Sequence, residues 1–332
     1  MKGSFGDDDR AGHTARALWF PAARTCALQV EQLGAVNEGS VMLRTLFSGI
    51  SRGTESLVFN GLVPESERDR MRGPHMAGVF PFPVKYGYAL VARVETGPEH
   101  LAGRNVFCLH PHQSAAVVAE AMVTPLPGSL PPERAILAAN METALNIVWD
   151  AGIMPGDRVA VFGAGVVGAL SAFLATAIIG TDVVLVDRNP ARRTLADRLG
   201  VTFAESGALD AEFDVLINAS ASGEALAEAL DHAGFEARIV EASWYGDRKL
   251  TLPLGGAFHS QRLSIVGSQV GALPPARRAR WTFARRLAKA IALLEDDRLD
   301  ALISGETAFE DIAAAYPDII DDPETLCHRI RY

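Results

Sequence analysis

The stretch RVAVFGAGVVG, residues 158–168, constrains the fold of this chain more than any other. An apolar run ends at three glycines with the spacing GxGxxG, Gly163, Gly165 and Gly168, and a run of small apolar residues follows them. From there to about residue 270, short apolar runs alternate with helical patterns. Such alternation is typical of βαβ units. The sequence therefore predicts an α/β domain with a parallel sheet over residues 139–270.

The glycine motif has a specific physical meaning here, because it follows a strand pattern and opens a helix pattern. The first glycine permits a tight turn, the second lets the backbone approach a pyrophosphate, and the third lets helix and strand pack closely. Free N–H groups at the helix N-terminus then favour phosphate binding. A glycine-rich turn without a ligand is the alternative. Interpreted as a Rossmann dinucleotide-binding domain, the pattern gives these cofactor-binding candidates: Gly163, Gly165, Val166, Val167, Gly168, Asp187, Arg188, Ala219, Ser268 and Gln269.

The residue at the end of the next apolar run indicates which dinucleotide is bound. That residue is Asp187, nineteen positions after Gly168. A carboxylate there holds the adenosine ribose hydroxyls and repels a 2′-phosphate, which favours NAD over NADP. Arg188, Arg192 and Arg193 follow, and they could pair with such a phosphate or form a solvated helix face. The prediction is NAD, with NADP the less favoured cofactor.

The rest of the chain has a different pattern. Residues 15–60 and 85–110 contain short strand patterns separated by turn residues, and an irregular stretch at 61–83 lies between them. Short strands spaced by turns predict a β-rich domain, such as a small barrel. The tail beyond residue 271 is predicted to form two helices and a last strand. Its TAFE stretch, residues 307–310, has the pattern of a capping box that opens the second helix.

Composition excludes several classes of function. The net charge of −9 argues against nucleic-acid binding, which needs a basic surface. Three widely spaced cysteines predict neither a disulfide framework nor a CxxC metal site, and they fit a reducing cytoplasm. The N-terminal MKGSFGDDDRAGHTAR lacks the apolar core of a signal peptide. No run of about 18 apolar residues occurs, so no membrane span is expected.

The order of these domains resembles that of the medium-chain dehydrogenase/reductases. The stretches SGISRGTE, YGYALVARVETG, PGDRVAVFGAGVVG and LSIVGSQVG carry the resemblance, which covers nearly the whole chain from Ala15. It implies a GroES-like barrel domain formed by residues 1–138 and 271–332, a Rossmann domain at 139–270, and a homodimer. SGISRGTE and the GY pair are also similar to bacteriochlorophyllide hydroxyethyl dehydrogenases. The implied activity is NAD(P)-dependent oxidation or reduction.

The chain departs from this family at the positions where zinc-using members hold the metal. By resemblance these positions are Ser51, or Arg52 in a shifted register, then Tyr88, and a residue near Ala139. Zinc is bound by Cys, His and carboxylate side chains. The sequence therefore predicts that the protein has no catalytic zinc.

A rebuilt metal site is the alternative, because Cys108, His110 and His112 alternate and would share one face of a strand. Pro111 interrupts that strand pattern, and three ligands on alternate positions cannot easily surround one ion. We therefore expect Cys108 to pack inward and the two histidines to lie at a domain edge.

Without zinc, another group must move the proton that accompanies hydride transfer. Tyr88 is the candidate donor, with Arg52 and Lys85 as possible cations that could lower its pKa. Filling the volume of the metal is the alternative role for Tyr88. Ser51 and Thr54 are predicted as hydrogen-bond partners or relay hydroxyls, or else as turn and cap residues. Glu55 is predicted to cap the next helix or to pair with Arg52.

Further residues are candidates for contact with substrate. Asn140 and Glu142 fall near the family's third ligand position, and Trp244 and Tyr245 follow a Rossmann strand. The cation-rich stretch PPARRARWTFARRLAK, residues 274–289, is a solvated helix face or a sign of an anionic substrate.

Two functions remain open at the sequence level. The first is a zinc-independent NAD(P)-dependent oxidoreductase acting on an alcohol, carbonyl or enone. The second is a nucleotide-binding protein without turnover, which serves as a sensor or a structural protein.

Overall fold

The computed structural model describes residues 13–332. Its strands are β1 (Thr14–Ala22), β2 (Thr25–Gln32), β3 (Ser40–Ser51), β4 (Ala77–Gly78), β5 (Val84–Lys85), β6 (Leu90–Thr96), β7 (Asn105–Cys108), β8 (Ala115–Ala119), β9 (Val123–Pro125), β10 (Arg158–Phe162), β11 (Asp182–Asp187), β12 (Thr202–Glu205), β13 (Phe213–Asn218), β14 (Ala233–Glu241), β15 (Ser264–Gly267), β16 (Ile303–Ala308) and β17 (Cys327–Arg331). Its α-helices are α1 (Arg52–Phe59), α2 (Ala138–Ala151), α3 (Val166–Thr176), α4 (Arg193–Leu199), α5 (Gly223–Asp231), α6 (Ala257–Ser260), α7 (Phe283–Leu293) and α8 (Ile312–Asp321).

A parallel sheet forms the centre of the predicted α/β domain. Its strand order is β12-β11-β10-β13-β14-β15, with every pair parallel. The middle strand β10 is buried along Val159–Phe162, because α2 and α3 cover one face of the sheet and α5 covers the other. Two-sided burial explains why this strand is a continuous apolar run. The predicted Rossmann sheet is confirmed.

The remaining strands form the predicted β-rich part. A larger sheet has the order β16-β17-β3-β6-β7-β9, with β8 also paired to β3, and a second sheet has the order β2-β1-β5-β4. The chain returns to the first sheet at its end, where β17 runs antiparallel to β3 and pairs Cys327 with Ser51. The combination of this β-rich part with the Rossmann sheet confirms the predicted fold class.

One helix boundary follows from local sequence, and one predicted boundary is wrong. Helix α2 ends at Gly152, whose φ of 67° is the left-handed conformation that glycine adopts without strain. Residues 307–310 do not open a helix. Thr307 lies within β16, pairs with Ile330 of β17, and shares a 2.8 Å hydrogen bond with Nε2 of His328. Pairing with the last strand outcompetes the local cap.

Within residues 13–332, no helix is both long enough and apolar enough to cross a bilayer. The prediction that the N-terminal stretch is not a signal peptide concerns mostly residues 1–12, which lie outside the described part of the chain.

Candidate active site

The glycine turn lies at the carboxyl end of β10, the edge of a parallel sheet at which ligands bind. Gly163 has a φ of +100°, and a Cβ there would lie 2.8 Å from Cα of Ser220. A Cβ on Gly168 would lie 1.9 Å from the carbonyl oxygen of Gly163. A Cβ on Gly165, by contrast, would meet no described atom within 4 Å. Two glycines therefore serve packing, whereas the open space at Gly165 suits a phosphate.

Helix α3 begins at this open space. Gly165 is its N-cap residue and, having no side chain, provides no side-chain hydrogen bond to the first turn. The helix is 11 residues long and carries Val166 and Val167 in its first turn. Its N-terminal amides and the positive end of its dipole are suited to a phosphate group. The local geometry therefore fits a dinucleotide pyrophosphate.

Asp187 closes β11 beside the glycine turn. Its Oδ2 accepts the N–H of Ala164 at 2.7 Å, and its Oδ1 accepts the N–H of Asn189 at 2.8 Å. The carboxylate is therefore held in place, and it retains acceptor capacity for ribose hydroxyls. The side chain of Arg188 is exposed nearby, whereas buried Arg192 donates to the carbonyl oxygens of residues 323 and 324.

The carboxyl ends of β13 and β14 hold a second polar group. Nδ2 of Asn218 donates to Glu241 at 2.8 Å and to the Tyr245 hydroxyl at 3.0 Å, and that hydroxyl donates to Glu241 at 3.0 Å. The N–H of Ala219 donates to the carbonyl oxygen of Phe162 at 2.8 Å, which fixes the loop after β13 beside the glycine turn. Tyr245 thus lies at the same edge of the sheet as the glycine motif.

Four of the predicted polar residues come together where β3 ends and α2 begins. Nδ2 of Asn140 donates to Oγ of Ser51 at 3.2 Å, which links the Rossmann side of the cleft to the β-rich side. Tyr88 lies beside Ser51 and Thr54. Burial and the Glu55 carboxylate raise the pKa of Tyr88 to about 12, although the two hydroxyls oppose this rise. At neutral pH Tyr88 is therefore a protonated phenol that can donate.

Glu55 lies beneath this cluster and is fully buried. Its Oε1 accepts the N–H of Ser51 at 2.8 Å, and its Oε2 accepts the Tyr316 hydroxyl at 2.7 Å and Nε2 of His112 at 2.9 Å. A buried carboxylate is tolerated where donors surround it in this way. Glu55 thus secures the backbone at Ser51, as the capping alternative predicted, and it does not pair with Arg52.

The expectation that His112 lies at a domain edge is wrong. Its ring is fully buried, with Nε2 on Glu55 and Nδ1 2.8 Å from Oγ of Ser48, which is 3.0 Å from the Tyr332 hydroxyl. The ring also passes so close to Gly87 that a Cβ there would lie 2.9 Å from it. The alternation of residues 108–112 indicated that these side chains share one face of a strand. No local pattern, however, connects His112 to a glutamate 57 positions earlier.

Arg52 and Glu142 do not join the hydroxyl cluster. Nη1 of Arg52 donates to the carbonyl oxygen of Asp322 at 3.0 Å, and burial followed by the nearby Arg192 lowers its pKa. Glu142 is buried and accepts a hydrogen bond from Arg286 at 3.0 Å. The structure therefore turns Arg52 toward the 322–324 segment and Glu142 toward α7, so neither is placed as predicted.

The other predicted residues occupy varied positions. Trp244 packs against the same apolar cluster as Tyr88, while Gln269 is exposed and its Oε1 accepts the N–H of Gly271. Oγ of Ser268 donates to Asp150 at 2.7 Å, so its side chain points toward α2.

Two of the six cations of residues 274–289 pack on tryptophans, and Arg278, Arg280 and Lys289 are exposed. Arg277 lies over the ring of Trp149 and Arg285 over that of Trp281, and the two rings pack together. Whether this stretch attracts an anionic substrate stays a prediction.

The residues at the family's zinc positions do not fit the metal. Ser51, Tyr88 and Ala139 supply two neutral hydroxyls and a methyl group, a donor set unlike the thiolate, imidazole and carboxylate ligands of zinc. Between residues 13 and 332, no group of three or more His, Cys, Asp or Glu side chains is arranged to hold a metal ion.

Solved structures similar to this chain share its whole fold. An alcohol dehydrogenase from Escherichia coli, solved with NADH, is 16% identical with a TM-score of 0.77, over 97% of this chain and 100% of that one. L-idonate 5-dehydrogenase from Escherichia coli is 15% identical with a TM-score of 0.80, over 96% and 99%. 2R,3R-butanediol dehydrogenase from Bacillus subtilis is 16% identical with a TM-score of 0.77, over 96% and 99%. The chain therefore has the fold of the medium-chain alcohol dehydrogenases.

Two curated proteins are similar to this chain over short stretches. An aliphatic (R)-hydroxynitrile lyase of Linum usitatissimum is 37% identical over 73 residues, which is 22% of this chain and 17% of the relative. A geraniol dehydrogenase of Castellaniella defragrans is 40% identical over 92 residues, which is 27% of this chain and 24% of the relative. The matches thus span less than a quarter of either relative's length. No protein-family profile matches the chain.

Proposed function

We propose that this protein is an NAD(P)-dependent oxidoreductase that transfers hydride between the nicotinamide and an alcohol, carbonyl or enone without zinc. The observation that carries the proposal is the cluster of Ser51, Thr54, Tyr88 and Asn140 at the junction of the Rossmann sheet and the β-rich part. The names of similar proteins support the reaction class, since geraniol dehydrogenase and the structurally similar dehydrogenases act on alcohols. We favour NAD as the cofactor, because the carboxylate of Asp187 at the end of β11 would repel a 2′-phosphate.

The nicotinamide, when bound, supplies or accepts the hydride. In the direction of reduction, Tyr88 donates its proton to the carbonyl oxygen as that oxygen gains the electron pair. Ser51 and Thr54 lie beside the phenol and would stabilise the phenolate that remains until a proton from solvent restores it. Asn140 fixes the orientation of the Ser51 hydroxyl. These neutral donors take the place of a metal in stabilising negative charge on oxygen.

The test combines cofactor binding with turnover. The protein is titrated with NADH and NADPH by nicotinamide fluorescence, and it is then given a panel of ketones, aldehydes, enones and alcohols with the matching cofactor. We expect tighter binding of NADH and consumption of NADH with members of the panel. If the protein binds a nucleotide but turns over no compound of the panel, the non-catalytic sensor is favoured. Failure to bind either nucleotide would reject both functions.

We also propose that the protein forms a homodimer through the edge of its Rossmann sheet. Strand β15 is the last in the sheet order, so its outer edge is unpaired by any strand of the described residues. An open edge of this kind favours pairing with a second copy. Light scattering after gel filtration should give twice the chain mass, and a monomer mass at all concentrations would contradict the proposal.

A further inference from the structure

Arg286 is the largest of the fully buried side chains; its guanidinium lies over the ring of Phe283 and makes three hydrogen bonds. From α7 its Nε donates to Glu142 at 3.0 Å, its Nη1 to Oδ1 of Asn146, and its Nη2 to the carbonyl oxygen of Val270. Glu142 and Asn146 are one helical turn apart on α2. One guanidinium therefore joins two helices to a loop.

Burying a charged group of this kind costs desolvation free energy, so the role of Arg286 needs an explanation. An apolar pair of similar volume would stabilise a helix contact equally well or better. What an apolar pair cannot do is fix the direction of a carbonyl group. The guanidinium presents donors in a rigid planar fork, so Glu142 and Asn146 orient it and its remaining edge sets the position of the Val270 carbonyl.

The loop that Arg286 holds lies at the carboxyl end of the parallel sheet. Residues 268–271 follow β15, and the N–H of Ser268 donates to the carbonyl oxygen of Glu241 at 3.0 Å, at the end of the neighbouring strand. Oγ of Ser268 donates to Asp150 of α2. The loop is therefore attached to α2 at two points, directly at Ser268 and through Arg286 at Val270.

The same helix carries part of the proposed active site. Asn140, at the start of α2, donates to Ser51, and Glu142 is two positions further along. The adenosine half of a dinucleotide lies toward β11, where Asp187 stands, so the nicotinamide half lies toward β13–β15. Loop 268–271 is thus at the nicotinamide end of the cleft, and α2 connects it to the hydroxyl cluster.

We infer that Arg286, held by Glu142 and Asn146, is a positioning residue for loop 268–271. It holds the loop against the nicotinamide and at a fixed position relative to Ser51 and Tyr88. This inference rests on the proposed function. Arg286 does not touch the reacting atoms. It sets the backbone groups of the loop that meet the carboxamide end of the cofactor, so it affects the nicotinamide half of the ligand and not the adenosine half.

The test compares two ligands that differ in the nicotinamide alone, NADH and ADP-ribose, by calorimetry. The variant is the double substitution Glu142→Met with Arg286→Met, which removes both charges and leaves no unpaired ion. The control is Arg285→Met on the same helix, because Arg285 is exposed and stacks on Trp281. We expect the double variant to bind NADH about tenfold more weakly, as for loss of one charged hydrogen bond, and to bind ADP-ribose as the wild type does. The control should bind both ligands normally.

A second variant covers the case in which the double substitution fails to fold. Arg286→Lys keeps the charge opposite Glu142 but lacks the fork that reaches Val270, so it should show the same selective loss. Equal weakening of NADH and ADP-ribose, or unchanged NADH affinity, would overturn the inference. A wild type that binds neither ligand would instead reject the proposed function.

Discussion

At the scale of single residues, the proposed chemistry depends on Tyr88 remaining protonated. Burial and the carboxylate of Glu55 raise the pKa of Tyr88 to about 12, so the phenol is a donor throughout the neutral range. A positive neighbour would have the opposite effect, but both predicted cations are engaged elsewhere. Arg52 donates to the carbonyl oxygen of Asp322, and Lys85 donates to Glu31 and Gln113. The site therefore keeps Tyr88 as a neutral phenol that can hydrogen-bond a carbonyl oxygen, while burial and Glu55 make it a weaker acid than a free tyrosine.

Replacing Tyr88 with phenylalanine should remove the proton donor and leave the cleft intact. We expect kcat for carbonyl reduction to fall by about 100-fold or more, the usual contribution of a general acid, with NADH affinity unchanged. Tyr86→Phe is the matched control, because Tyr86 is a buried neighbour whose ring packs edge-on against Tyr88. Stopped-flow and steady-state rates would measure the effect. Full activity in Tyr88→Phe would show that the tyrosine only fills space.

At the scale of secondary-structure elements, the β10–α3 turn separates two uses of glycine. A Cβ at position 168 would collide with the carbonyl oxygen of Gly163, whereas a Cβ at position 165 would enter open space. Gly168 is needed for α3 to pack on the sheet. Gly165 is needed only when a pyrophosphate approaches the N-terminus of α3.

Alanine substitutions should therefore give opposite results at these two positions. Gly168→Ala should lower the free energy of unfolding by about 1–3 kcal/mol through overpacking. Gly165→Ala should leave the unfolding free energy nearly unchanged and weaken NADH binding by about tenfold. Urea unfolding and fluorescence titration on both variants would check this. Normal NADH affinity in Gly165→Ala would contradict placement of the phosphates at this turn.

The secondary-structure elements and the side-chain contacts could be predicted from the sequence to different degrees. The Rossmann sheet was predictable because its strands are buried on both faces, and its glycine turn has a fixed local geometry. The cluster of Ser51, Thr54 and Tyr88 could be anticipated from the family resemblance. The partners of Arg52, Glu142 and His112 could not. Each lies between 57 and 270 positions away, where no local pattern selects it.

At the scale of the whole molecule, buried polar groups tie the two ends of the β-rich part together. Glu55 follows β3, and Tyr316 and Tyr332 come from the C-terminal segment. Burial, with Glu55 as a further cause, raises the pKa values of Tyr86, Tyr316 and Tyr332 as well as Tyr88. These tyrosines stay protonated in the folded state at a pH where the unfolded chain ionises.

This difference predicts the course of alkaline unfolding. Because the folded pKa values exceed the unfolded value of about 10, the stabilisation is complete below that pH and is lost as the pH rises through the folded values. Each buried tyrosine should reduce the free energy of unfolding by up to about 1.4 kcal/mol per pH unit in that range. Urea titrations at increasing pH would reveal the slope. A flat profile well above pH 10 would contradict protonated, buried tyrosines.

The central claim is that the hydroxyl cluster, and not a metal, supports hydride transfer. The most direct measurement follows NADH consumption with a carbonyl substrate before and after exhaustive chelation, with metal content determined on the same samples. The account predicts equal rates in the untreated and metal-free protein, and no gain when Zn²⁺ is added. Loss of NADH consumption on chelation, with recovery on addition of Zn²⁺, would contradict it.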